Sequence, residues 1–124
     1  LRYLSDEEYK IASRYLFLSM VIKVLEYDLK QIHKSHIFRI NEPFINLLES
    51  SIQMAKEERQ VLKIKMLDHK LKVVRSGQRG DFTVYTFILG NQEEQRSYYN
   101  PAIRKKVRGI IEELFESVEY KMGT

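Results

Sequence analysis

Between Tyr9 and Ile32 the apolar residues cover far more than one narrow stripe of a helix, and this limits the folds open to the chain. Tyr9, Leu16, Met20, Val24 and Tyr27 fall on one side, and Ile11, Leu18, Val21, Ile22, Leu25 and Leu29 extend around it. Only Ser19, Lys23, Glu26 and Lys30 form a polar strip. Such a helix needs neighbours on several sides. A chain of 124 residues has room for one ordinary domain, residues 1–124, with few other helices to supply them. Part of this surface is therefore expected to lie across a two-fold contact, with Leu18, Val21, Ile22 and Leu25 forming a homodimer interface. Ser5 and Glu8 have the spacing of a capping box, which predicts the start of this helix.

Asn41-Glu42-Pro43 predicts the next start, with asparagine as cap and proline in the first turn, where its missing N–H is not needed. Phe44, Leu47, Leu48, Ile52, Ala55, Leu62 and Met66 then recur at helical spacing. The run reads either as one helix from Glu42 to about Lys70 or as two pieces broken near Glu57-Glu58-Arg59-Gln60. After Lys70 the period changes. Lys72 to Arg75 and Phe82 to Leu89 are rich in β-branched and aromatic residues, and Ser76 to Asp81 between them predicts a hairpin. Gly90-Asn91 adds a turn and Gln95 to Tyr99 a short third strand. Asn100-Pro101 opens a last helix whose core face is Ile103, Val107, Ile110, Ile111, Leu114 and Val118. The fold class is helix-rich α+β: two long helical segments, an antiparallel hairpin or meander, and a C-terminal helix.

Chemistry-bearing motifs are few. With no cysteine there is no disulfide framework, thiolate metal site or cysteine nucleophile. His33 and His36 are three apart and His69 adjoins Asp68, but no further ligand stands at metal-site spacing, so no metal or cofactor is expected. No G-x-S-x-G, Walker or dinucleotide-binding run occurs, and the chain reads as a non-enzyme. Gly77-Gln78-Arg79-Gly80 has the G-x-x-G form of a KH loop, but strands rather than helices flank it, which makes it a hairpin turn. Asp6, Glu7 and Glu8 stand where a secretory signal would be basic. Lys23 interrupts the most apolar run well short of the roughly 20 residues that span a bilayer. The expected location is cytoplasmic, without a membrane partner.

The formal net charge of +4 is unevenly distributed. Residues 1–60 are neutral, 61–108 carry eleven Lys and Arg against four Asp and Glu, and 109–124 are acidic. A concentrated basic segment attracts polyanions in a way that scattered charge does not. The candidate phosphate-contacting residues are Lys63, Lys65, Lys70, Lys72, Arg75, Arg79, Arg96, Arg104, Lys105 and Arg108. The last helix is basic in its first half and acidic in its second, the reverse of what the helix dipole favours.

In element order alone, a basic hairpin after a broken second helix resembles a winged helix-turn-helix, with 61–70 as recognition helix and Arg75 to Arg79 in the wing. The sequence thus points first to a small DNA-binding or DNA-associated regulatory protein acting on duplex DNA. The competing reading is a protein-interaction module, an adaptor or inhibitor, acting through the apolar first helix or the hairpin edge. An unbroken helix over 42–70 would remove the helix-turn-helix and favour the second.

Overall fold

A computed structural model describes residues 3–122. Helix α1 spans Asp6–Lys34 and α2 spans Glu42–Asp68; strands β1 (Leu71–Arg79), β2 (Phe82–Leu89) and β3 (Gln92–Tyr99) follow, and α3 (Asn100–Met122) closes the chain. The strands form an antiparallel meander in the order β1-β2-β3. The capping box forms as expected. The Glu8 N–H donates to Ser5 Oγ at 3.1 Å, and the Ser5 N–H donates to Glu8 Oε1 at 2.9 Å.

Helix α1 is the centre of the molecule. It touches α2, α3 and β1, so most of the surface that its sequence leaves apolar is covered within one chain, with Val24 and Tyr27 left exposed. Leu18, Val21, Ile22 and Leu25 are buried in this core, which overturns their assignment to a dimer contact. Two helices and a sheet suffice to cover most of one helix even in a chain of this size.

Helix α2 runs unbroken through Glu57-Glu58-Arg59-Gln60. The Arg14 guanidinium on α1 donates to both Glu58 carboxylate oxygens, at 2.6 and 3.1 Å, so the polar stretch has a partner and no reason to break. The run 42–70 is therefore not a helix-turn-helix, and residues 61–68 belong to α2 rather than to a separate recognition helix. Asn41 and Asn100 also differ from expectation. The Asn41 side chain makes no capping bond, and Pro43 alone marks the start of α2. Asn100 Oδ1 instead accepts a bond from Thr83 Oγ1 at 2.6 Å, fixing the start of α3 to β2.

The strands run further than the sequence pattern suggests. β1 continues to Arg79 through an irregularity between Arg75 and Gly77, which leaves only Gly80-Asp81 as the turn. Gly80 and Gly90 each have positive φ at the first position of a two-residue turn, the glycine-first pattern of type II′ hairpins. Leu71, Val73, Tyr85, Phe87, Leu89 and Tyr98 join the helical core. Phe87 is completely buried and stacks on Tyr9, with ring centroids 5.5 Å apart.

Candidate functional site

The ten basic residues singled out in the sequence divide into three groups. The first lies along the C-terminal half of α2 and β1: Lys63 and Lys65 on the helix, Lys70 in the connection, and Lys72, Arg75 and Arg79 on the strand, all exposed. The second is on α3, where Arg104, Lys105 and Arg108 line one shallow surface with Pro101 and Glu112. Arg108 Nε also donates to Glu112 at 3.0 Å, one turn along the helix. Because α2 packs on β1 and α3 on β3, the two groups flank opposite edges of the sheet.

Arg96 forms the third group alone, and the structure removes it from the phosphate-contacting set. Its side chain faces inward from β3, with Nε 2.6 Å from Glu94 Oε2 and its guanidinium 3.7 Å from the Tyr9 ring centre. Glu94 is itself buried, and its Oε1 accepts from the backbone N–H groups of Tyr3 and Leu4, at 2.7 and 3.4 Å. Burial pushes the Glu94 carboxyl up, but the Arg96 bond and the two backbone N–H bonds outweigh it and hold the group below its ordinary value. Burial likewise raises Tyr98, and its 2.6 Å hydrogen bond with the Tyr9 hydroxyl adds to the rise. These four side chains anchor the N-terminal segment and α1 to β3. Sequence reasoning missed Glu94. The alternation Glu94, Arg96, Tyr98 would have put all three on one strand face, had the third strand been started before Gln95.

A different surface combines apolar exposure with charge. Val61, Ile64 and Leu67 follow one another three residues apart on the outer side of α2, and each is more than half exposed. Beside them a cleft runs between α2 and β1, lined by Tyr15, Met66, Leu67 and Val74, with Lys63 and Lys72 as its only charged lining residues. Lys70, in the connection between α2 and β1, takes a positive φ of 55° and so turns the chain sharply from helix into strand. That turn, secured by the Lys70 N–H donating to the Leu67 carbonyl at 3.1 Å, brings β1 alongside the end of the helix.

The histidines do not gather. His33 is in the last turn of α1, and His69 caps α2 with Nδ1 3.4 Å from a Glu8 oxygen. Among the described residues no three His, Cys, Asp or Glu side chains group as a metal site, and no helix is long and apolar enough to cross a membrane.

Residues 3–119 match the family model described as YhjD protein. The chain is also similar to "Uncharacterized protein YhjD" of Bacillus subtilis (strain 168), with 29% identity over 108 residues, 87% of this chain and 89% of that protein. No solved structure matches.

Proposed function

The chain belongs to the YhjD protein family, and we propose that it is a non-enzymatic protein-interaction module of the cytoplasm, holding its partner on the outer side of α2 and the neighbouring edge of β1. The observation that carries this reading is the exposure of Val61, Ile64 and Leu67, at 54%, 52% and 66%, beside a cleft whose apolar lining is rimmed by lysines. Three large apolar side chains left in water at helical spacing have no role in the chain's own core, and partners bury such surfaces. The first helix, considered as the docking element from its sequence, offers less for docking because most of its apolar surface is packed in the core, with Val24 and Tyr27 left exposed. Placing a photo-crosslinking amino acid at position 64, with position 30 as control, tests the reading in the cells that make the protein. The expected result is a discrete protein adduct at 64 that nuclease leaves intact. No adduct, or one that nuclease removes, would overturn it.

A second reading, binding of nucleic acid, is favoured by the grouping of Arg104, Lys105 and Arg108 on one surface of α3. The register aligns Arg79, Phe82 and Tyr99 across the sheet immediately before this helix, so a cation and two exposed aromatic rings adjoin it. A footprint of four to six phosphates on duplex DNA would give a salt slope of about −4 to −5. Alanine at Arg79 and Arg104 would reduce that slope by about 2. Binding that is absent at low salt would remove this reading.

A further inference from the structure

We propose that the open edge of β1 and the cleft beside it take an acidic, extended segment of a partner protein, which adds to the sheet as a fourth strand. The proposal rests on the interaction-module reading and specifies the partner's chemistry.

The backbone supplies the first reason. β1 is an edge strand of nine residues with β2 as its one strand neighbour. The Gly90 N–H donates to the Lys70 carbonyl at 3.0 Å, and the register continues with Lys72 opposite Ile88 and Val74 opposite Thr86. Hydrogen-bonded and non-hydrogen-bonded pairs alternate along an antiparallel ladder, so Val73 and Arg75 turn their N–H and C=O groups toward the open side. Those groups are a template for another strand.

The cleft supplies the second. It lies along the same strand, and its apolar lining has room for alternate side chains of an added strand. Charge supplies the third and selects the occupant. β1 carries Lys72, Arg75 and Arg79 and no carboxylate, and Lys63 and Lys72 rim the cleft. A second copy pairing through this edge would set these cations against the same cations, which is destabilising. Cationic side chains and the irregularity between Arg75 and Gly77 are devices that discourage such self-pairing. The same cations attract a strand bearing aspartate or glutamate. The fitting partner therefore alternates apolar side chains, which enter the cleft, with carboxylates, which meet the lysines.

The test uses the intact protein and a labelled nine-residue peptide of alternating valine and glutamate, followed by fluorescence anisotropy. Two further peptides carry N-methyl groups on either the odd or the even amides. A lysine-for-glutamate peptide and an oligothymidylate of equal charge complete the set. The proposal expects the acidic peptide to bind and the lysine peptide and the oligonucleotide to bind at least about tenfold more weakly. One N-methyl pattern should abolish binding and the other should be tolerated, because strand addition uses every second amide. Lys63→Glu combined with Lys72→Glu should weaken the acidic peptide about tenfold while leaving the circular dichroism unchanged.

Equal tolerance of both N-methyl patterns would overturn strand addition, since contact through side chains alone does not distinguish them. Tighter binding of the oligonucleotide would overturn the peptide as occupant. Dimerisation through this edge would do the same in favour of a second copy. A nuclease-resistant protein adduct at position 64 without peptide binding would discard the acidic strand and retain the interaction reading, whereas failure of both experiments would discard both.

Discussion

The two edge strands of the sheet each carry three charged residues, Lys72, Arg75 and Arg79 on β1 and Glu93, Glu94 and Arg96 on β3, and the molecule uses them in opposite ways. On β3, Glu94 and Arg96 face inward and bond to each other, to the N-terminal segment and to the ring of Tyr9. On β1 all three cations are exposed, and the one side-chain bond among them runs from Arg75 to Gln78 on the same strand, at 3.3 Å. One edge thus closes the fold, and the other faces outward with its charge uncommitted to the core. The lesson is that charge along a sequence does not identify a binding surface until the strand's register says which way each side chain points.

This contrast makes its largest prediction at Glu94. Replacing it with alanine leaves the Arg96 guanidinium and the N–H groups of Tyr3 and Leu4 without their acceptor, and the expected destabilisation is about 3–5 kcal/mol. Urea unfolding measures it; a loss under about 1 kcal/mol would show that β3 is no more committed than β1. Tyr98→Phe removes the 2.6 Å bond to Tyr9 and should lower stability by about 1 kcal/mol.

The pH dependence should follow Glu94. Its carboxyl titrates in the fold below the ordinary value of 4.5, so its contribution is complete above that value and is lost as pH falls through the lowered folded value. Glu94→Gln should therefore be less stable than wild type at neutral pH and show a shallower loss between about pH 5 and pH 3. An unchanged acid profile would contradict the buried carboxylate. The smallest effects belong to β1, where Lys72→Ala and Arg79→Ala should each change stability by no more than about 0.5 kcal/mol, since both are exposed.

Much of the fold was legible because its signals are local. Ser5 with Glu8, Pro43, the change of period after Lys70, and the glycines at 80 and 90 are each read within a few residues. What stayed open or was misread depended on partners distant in sequence. The polar stretch at Glu57 to Gln60 continues as helix because Arg14, more than forty positions earlier, binds Glu58. Most of the apolar breadth of α1 is absorbed by α2, α3 and β1, and only the tertiary arrangement shows that Leu18, Val21, Ile22 and Leu25 are buried within one chain. Of the candidate site, Lys63, Lys72, Arg75 and Arg79 were legible as a basic run, whereas Val61, Ile64 and Leu67 drew no notice because exposure cannot be read from an apolar residue alone.

Amide hydrogen exchange, recorded residue by residue by NMR with and without the valine-glutamate peptide, compares the two edges in one experiment. The outward-facing amides of Val73 and Arg75 are expected to gain protection of at least about tenfold when the peptide is added, as amides do on entering a ladder, while the amides of β3 are unchanged. Protection gained equally along β3, or at neither edge, would contradict the claim that β1 is the edge this fold leaves open for a partner.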